Sequence, residues 1–207
     1  MMESVAVNPS YLLLPIVAYF IGSVPFGLVL TRLFSDVDIR QEGSGNIGAT
    51  NVRRTAGSRL GMMTLLGDVL KGALPTCLAE AAVDMSTAQG QLFASLVALA
   101  AIAGHFFPVY LRFKDGGKGV ATTAGAFLAI SPVAVFVTLL VFILGVCWSN
   151  RVSVASLIAA AALPVCIWEA TASDIFTGGA VLATVGIFFR HKDNVYRLLK
   201  GTEPTIW

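Results

Sequence analysis

Residues 119–150 read GVATTAGAFLAISPVAVFVTLLVFILGVCWSN and contain no charged residue. A helix needs about 20 mostly apolar residues to cross the hydrocarbon core of a membrane, so this stretch is too long for one crossing. Ser131 and Pro132 divide it. The stretch therefore predicts two short membrane helices, at about 119–130 and 133–149. The alternative is a re-entrant pair that enters the membrane and returns on the same side.

The composition of the whole chain is typical of a membrane protein. Of its 207 residues, 56% are hydrophobic and only 13% are charged, and the mean hydropathy is +0.79. A soluble domain carries roughly 25% charged residues, so these charges are too few to cover a soluble surface. The composition excludes a disordered chain, a nucleic-acid-binding domain and a disulfide-stapled module. Cys77, Cys147 and Cys166 lie in or at the end of apolar runs, which predicts buried free thiols.

Further apolar runs extend this pattern along the chain. We expect an all-α integral membrane protein, folded as a compact bundle of seven transmembrane helices in a single domain over residues 1–207. The count falls to five if the short fourth and fifth helices form a re-entrant pair. The first span carries Gly22, Pro25 and Gly27, which favour a kink or close helix packing. The predicted spans are about 11–33, 60–83, 91–111, 119–130, 133–149, 152–170 and 175–190.

The placement of charge predicts the orientation of the bundle, because cationic residues favour the cytoplasmic side. With the N-terminus outside, every one of the 14 Lys and Arg residues except Lys71 falls on the inside, and Lys71 lies within a span. The first ten residues contain Glu3 but no Lys or Arg. The first run therefore lacks the basic start of a secretory signal and is expected to remain as a span. The C-terminus is then cytoplasmic.

The first inside segment, residues 43–57, is richer in glycine and polar side chains than a simple connector requires. Glycines permit tight turns whose amides converge on an anion, and arginine can bind two phosphate oxygens. A dinucleotide-binding fold is not expected, because no βαβ unit can follow the G-x-G-x-x-G pattern here. The alternative is a loop for helix packing. The candidate site residues are Gly43, Ser44, Gly45, Asn46, Gly48, Thr50, Asn51 and Arg54.

The second inside segment follows the third predicted span. Glycines surround Lys118 and allow its ammonium group to approach a phosphate, and a helix that starts at about Gly119 adds N-terminal amides. The alternative is that Lys114 and Lys118 only anchor the chain at the membrane surface. The candidate site residues are His105, Lys114, Gly116, Gly117, Lys118 and Gly119.

The third inside segment, residues 190–203, contains His191, Asn194 and Arg197 at a spacing of three, so a helix places them on one face. With Glu203 they are candidate site residues. The alternative is an amphipathic helix on the membrane surface. Asp68 and Lys71 in the second span are expected to form a structural ion pair, with a catalytic pair as the alternative.

These segments together indicate a phosphorylated ligand on one membrane face. The sequence contains no carboxylate cluster or H-E-x-x-H pattern for a metal, so no metal site is predicted, and G-x-S-x-G of serine hydrolases is absent. The ordered motifs are Gly43–Asn51 with Arg54 and Gly57; Gly104-His105 … Phe107-Pro108-Val109 … Gly116-Gly117-Lys118-Gly119; and His191-x-x-Asn194-Val195-x-Arg197 … Glu203.

This order of motifs, with Asp68-x-x-Lys71-Gly72 in span two, resembles the bacterial acyl-phosphate:glycerol-3-phosphate acyltransferases, the PlsY family. One departure is Asp115, which stands between Lys114 and Gly116 where the family reads Phe-Lys-Gly-Gly-Lys. The resemblance covers nearly the whole chain.

The resemblance implies an enzyme that transfers an acyl chain from acyl-phosphate to the sn-1 hydroxyl of glycerol 3-phosphate. The products are lysophosphatidate and phosphate, in the first step of bacterial phospholipid synthesis. It implies a multi-pass protein of the bacterial inner membrane, with a cytoplasmic active site and without cofactor, nucleic acid or obligatory protein partner. Either His191 or a substrate phosphate accepts the proton. The expected catalytic residues are Ser44, Arg54, Lys118, His191 and Asn194, and the other candidates bind substrate.

Two other functions remain open from the residues alone. A transporter for a phosphorylated solute requires sites near the midplane and usually an internal repeat, and no repeat is visible. A scaffold that binds anionic lipid requires only net basicity in its loops, so it tolerates alanine at Ser44 and Asn46.

Overall fold

The computed structural model describes residues 10–206, and every regular element within that range is helical. A 3₁₀ turn, Val109–Leu111, follows the fifth helix. The predicted external N-terminus lies outside the described residues. The ten α-helices described are α1 Ser10–Gly22, α2 Phe26–Phe34, α3 Ala49–Ala56, α4 Ser58–Ala82, α5 Ala88–Phe106, α6 Val120–Ile130, α7 Pro132–Ser149, α8 Val152–Thr171, α9 Asp174–Arg190 and α10 Lys192–Leu199.

Within residues 10–206, four helices are long and apolar enough to cross a membrane: α4, α5 together with the 3₁₀ turn that follows it, α7 and α8. They coincide with four of the predicted spans. The first predicted span, 11–33, consists of α1 and α2, which are bent by 44° where Pro25 interrupts the helix, so this pair supplies a fifth span if it crosses as one. The segment 119–130 forms the short helix α6, and 175–190 forms α9. Seven crossings and the orientation of the chain ends stay predictions.

Helix α5 lies at the centre of the bundle and packs against α1, α4, α6 and α9. Its inward face consists of small residues such as Ala94, Ala98 and Ala101, which have no exposed surface. Small side chains let helix backbones approach closely, which is how membrane helices gain packing energy when lipid surrounds them. In contrast, α7 buries little of its surface and presents Phe136, Leu144 and Trp148 outward, as lipid contact requires.

The contact between α4 and α6 depends on two glycines. A Cβ atom at Gly72 would overlap the carbonyl group of Thr122, and one at Gly125 would overlap the carbonyl group of Val69. Each backbone therefore fills the space that a side chain would occupy. This contact fixes where α6 begins, and so where the segment that carries Lys118 leaves the bundle.

We predict that Gly125→Leu separates α4 from α6 and lowers the stability of the detergent-solubilised protein by about 1–3 kcal/mol or more, because the added side chain overpacks a backbone contact. Gly178→Ala in α9 is the matched control, since a Cβ there meets nothing within 4 Å. Thermal unfolding followed by circular dichroism measures both. Equal melting temperatures for the two variants would contradict the packing account.

Candidate active site

A polar cleft of about 130 Å³ brings residues of all three inside segments together. Ser44 and Asn46 come from the first segment, Lys118 from the second, and the other lining residues from the end of α9 and from α10. Among the charged lining residues, four cations face a single carboxylate, so the cleft suits an anion. The lining residues are Ser44, Asn46, Lys118, Phe189, Arg190, Lys192, Asp193, Asn194 and Arg197.

Asn51 is the brace of the first segment. Its side-chain amide is buried and donates to the carbonyl oxygens of Ile39 at 2.9 Å and Glu42 at 3.1 Å. Its Oδ1 atom accepts a hydrogen bond from the Ser44 amide at 2.9 Å. Gly43 packs on this side chain and has a φ of +60°, a conformation that glycine adopts without strain. Asn51 therefore folds the segment upon itself, and both of its amide hydrogens are used within the protein.

Three backbone amides of this loop have partners within the protein, so these three do not point freely toward an anion, and an anion site at the other amides stays a prediction. Beyond the Ser44 amide, the Gly45 amide donates to the Glu42 carbonyl at 3.0 Å and the Gly48 amide to Asn46 Oδ1 at 3.0 Å. Short polar side chains satisfy neighbouring backbone groups locally, which leaves fewer donors for a ligand. Ser44 and Asn46 reach the cleft through their side chains.

Two candidates of the first segment, Thr50 and Arg54, lie on α3 away from the cleft wall. The exposed Arg54 donates through Nη2 to the carbonyl oxygen of Thr205 at 3.4 Å. Its observed partner is thus the C-terminal tail, although its charge also acts on Lys118 in the cleft.

Lys118 is the residue of the second segment that lines the cleft. Burial lowers the pKa of its ammonium group to about 8, from an ordinary value of 10.5. Its neighbours Gly116 and Gly117 are buried behind it, and Gly119 caps α6 with a φ of +81°. The Gly117 amide donates to the His105 carbonyl at 3.1 Å, so it supports the loop instead of facing a ligand.

His105 and Lys114 do not line the cleft, so their expected contact with substrate is not what the structure shows. His105 is 5% exposed and lies inside the bundle, with Nδ1 3.7 Å from Oδ1 of Asp68. Lys114 is exposed on the loop, just before Asp115, which has a φ of +54°. The predicted ion pair is present, because Lys71 Nζ lies 2.8 Å from Asp68 Oδ1.

His191, at the turn between α9 and α10, is almost completely buried. Its Nδ1 atom lies 2.8 Å from the carbonyl oxygen of Ile187, which identifies Nδ1 as the protonated nitrogen of a neutral ring. Burial lowers the pKa of His191 to about 4, although the bond to Ile187 opposes that shift. The imidazole is therefore neutral at pH 7.

Glu203 holds two of the four cleft residues of α10, Asn194 and Arg197, in place. Its carboxylate accepts hydrogen bonds from Asn194 Nδ2 at 2.6 Å and from Arg197 Nε at 2.8 Å. Because both oxygens are engaged, Glu203 acts as a brace in this structure and not as the substrate ligand we expected. Asn194 Oδ1 is buried and has no hydrogen-bond partner within residues 10–206, although Asn194 lines the cleft. This oxygen can accept a hydrogen bond from any donor that reaches it.

Arg190 is a cleft residue that sequence reasoning missed. Its Nε atom donates to the Gly117 carbonyl at 3.0 Å, and its Nη2 atom donates to the Gly116 carbonyl. Lys192 and Asp193 were missed as well. Their position was the available signal, because Arg190 directly precedes His191, and Lys192 and Asp193 stand between His191 and Asn194.

The chain is similar over most of its length to known proteins. A family model described as glycerol-3-phosphate acyltransferase matches residues 12–201. A glycerol-3-phosphate acyltransferase of Syntrophotalea carbinolica is 46% identical over 94% of this chain and 96% of its own length. One of Clostridioides difficile is 39% identical over 95% of this chain and 96% of its own.

Two solved structures share the fold. A crystal structure of PlsY, described as an integral membrane glycerol 3-phosphate acyltransferase in its glycerol 3-phosphate form, superposes with a TM-score of 0.90 and 36% identity. A lysophosphatidic acid form of PlsY gives a TM-score of 0.88 and 35% identity. Each alignment covers 96% of both chains.

We predict that Asn51→Ala opens the first segment and destabilises the protein by about 2–3 kcal/mol, because it leaves buried backbone groups without partners. Thr55→Ala is the control, since it removes only a hydrogen bond to the Asn51 carbonyl one turn earlier in the helix. Limited proteolysis between residues 35 and 48, together with thermal unfolding, measures the effect. Wild-type protease resistance in Asn51→Ala would contradict the bracing role.

Proposed function

The chain belongs to the glycerol-3-phosphate acyltransferase family, and we propose that it transfers an acyl chain from acyl-phosphate to the sn-1 hydroxyl of glycerol 3-phosphate. The products are lysophosphatidate and inorganic phosphate. The observation that carries the proposal is the convergence of the three polar segments on one cationic cleft. Both proposed substrates carry a phosphate, and such a cleft offers that group charge and hydrogen-bond donors at once.

The donor is proposed from what the sequence lacks as well as from the resemblance. Soluble glycerolipid acyltransferases use a His-x-x-x-x-Asp motif. Here the fifth residues after His105 and His191 are Tyr110 and Tyr196. An acyl-phosphate already carries a good leaving group, so a site built from cations and hydrogen-bond donors suffices to activate it.

We assign the phosphate of glycerol 3-phosphate to Lys118 and Arg197. Both line the cleft, and Arg197 is held in position by Glu203. The unpaired Oδ1 atom of Asn194 accepts a hydrogen bond from a glycerol hydroxyl, and Ser44 and Asn46 orient oxygens from the opposite wall. Arg54, if its bond to Thr205 opens, adds charge at the rim.

In the proposed reaction, the sn-1 oxygen attacks the carbonyl carbon of acyl-phosphate. The bond between that carbon and the phosphate oxygen then breaks, and phosphate leaves with the electron pair. We propose that the hydroxyl proton passes to a substrate phosphate. His191 is the alternative acceptor, but a general base works best with a pKa near the working pH, and burial lowers the pKa of His191 to about 4.

A mostly apolar groove of about 340 Å³ offers a place for the acyl tail. It lies along α2 and the 3₁₀ turn, and a tail enters it from lipid. We place the reaction on the cytoplasmic face of the inner membrane, because the cationic segments favour that side. The groove residues are Val24, Pro25, Leu28, Val29, Arg32, Tyr110 and Leu111.

We predict that the purified protein forms lysophosphatidate from palmitoyl-phosphate and glycerol 3-phosphate, and not from palmitoyl-CoA. Lys118→Ala lowers kcat/KM roughly 100-fold, since loss of one partner from a buried charge pair costs about 2–5 kcal/mol. Lys200→Ala is the control, because Lys200 is exposed and stacks on Tyr196 outside the cleft. Mass spectrometry quantifies the product. Turnover with palmitoyl-CoA alone would overturn the proposed donor.

The pKa of Lys118 predicts a pH dependence. Only the ammonium form attracts phosphate, so the KM for glycerol 3-phosphate rises as the pH passes about 8, where Lys118 loses its proton. The limiting slope is about tenfold per pH unit. Lys118→Arg removes this alkaline rise in KM, because arginine keeps its charge to a pH above about 12. An unchanged alkaline limb in Lys118→Arg would exclude Lys118 as its source.

A further inference from the structure

We propose that His105 is a positioning residue for the reaction. Its ring packs directly against the backbone of Gly117 and thereby fixes the position from which Lys118 enters the cleft. The inference rests on the proposed function, in which Lys118 binds the substrate phosphate. His105 itself does not line the cleft, so its effect passes through the Gly116–Lys118 loop.

The contact between ring and loop is direct. A Cβ atom at Gly117 would overlap Nε2 of His105, so only glycine fits against the ring. The Gly117 amide also donates to the His105 carbonyl at 3.1 Å. One residue earlier, a Cβ at Gly116 would overlap the carbonyl group of Phe106. The end of α5 thus supports two consecutive residues of the loop.

The other side of the loop is held by Arg190. Its guanidinium donates to the carbonyl oxygens of both Gly116 and Gly117. The backbone of Gly116 and Gly117 therefore packs against the His105 ring on one side and accepts hydrogen bonds from the Arg190 guanidinium on the other, so its orientation is restricted. The next residue is Lys118, and its ammonium group therefore enters the cleft from a fixed backbone.

An ion pair packs beside the ring inside the bundle. Asp68 Oδ1 lies 3.7 Å from His105 Nδ1, beyond hydrogen-bond distance, and Nδ1 has no hydrogen-bond partner among the described residues. Lys71 Nζ lies 2.8 Å from Asp68 Oδ1 and donates to the Val24 carbonyl at 2.8 Å, in the break between α1 and α2. The pair therefore restricts the ring by packing and not by a hydrogen bond.

The steric contact allows a test by compensation. Gly117→Ala alone pushes the loop off the ring, and we expect it to raise the KM for glycerol 3-phosphate and to lower kcat/KM about 100-fold. His105→Ala alone leaves the loop unsupported, and we expect a loss of about tenfold. The double variant His105→Ala/Gly117→Ala has room for the added methyl group, so its kcat/KM returns to that of His105→Ala. Such non-additivity identifies residues that act through one contact.

Two controls make the result decisive. Gly178→Ala adds the same methyl group where nothing lies within 4 Å, and we expect wild-type kinetics. The rate at which acetic anhydride modifies Lys118, read by mass spectrometry, reports the placement of its amine without turnover; Gly117→Ala should change this rate, and the double variant should restore it toward that of His105→Ala. A double variant whose kcat/KM equals the product of the two single losses, or lies below it, overturns the proposal.

The two hypotheses fail in different ways. If the wild-type protein forms no lysophosphatidate, the proposed function fails. The acetylation rates of the wild type, the two single variants and the double variant still decide whether His105 positions the Gly116–Lys118 loop. If the wild type is active and neither kinetics nor acetylation shows compensation, the positioning role fails and the function stands.

Discussion

The site depends on holding several cations together beside a membrane, where the low dielectric strengthens their mutual repulsion. Most of these cations already interact with other groups of the protein. Arg197 pairs with the carboxylate of Glu203, and Arg190 donates to two glycine carbonyls. Within residues 10–206, Lys118 forms no hydrogen bond or ion pair, and burial lowers its pKa. An incoming phosphate is the partner that this arrangement leaves room for.

Four residues hold the three segments in place: Asn51 holds the first segment, His105 and Arg190 hold the second, and Glu203 holds the third. Asn51, His105 and Glu203 are buried outside the cleft lining, whereas Arg190 is half-buried and lines the cleft. Each uses hydrogen bonds or close backbone contact, which places the segment precisely and restricts its freedom. Ser44 and Lys118 are among the cleft side chains that this leaves available to a ligand.

Local patterns predict much of this protein, and tertiary contacts supply the rest. Hydropathy marks α4, α5, α7 and α8, because a membrane helix is a local property of about 20 residues. The convergence of the three segments agrees with the common membrane face that the charge pattern predicts for them. Hydrogen-bond partners cannot be predicted from the sequence. Asn51 and Glu203 have the side chains of substrate-binding residues, and only the folded structure shows that their partners lie within the protein. Arg190 was missed because carbonyl groups, which every residue has, are its partners.

The central claim is that the cleft binds a phosphate through Lys118, and the melting temperature of the purified protein in detergent tests it most directly. Binding stabilises the folded state by about 2.7 kcal/mol when the ligand is at 100 times its Kd. We predict a saturable rise with glycerol 3-phosphate and none with glycerol, a rise that is lost in Lys118→Gln and retained in Lys200→Gln. An equal rise in Lys118→Gln, or no rise in the wild type, would contradict the account.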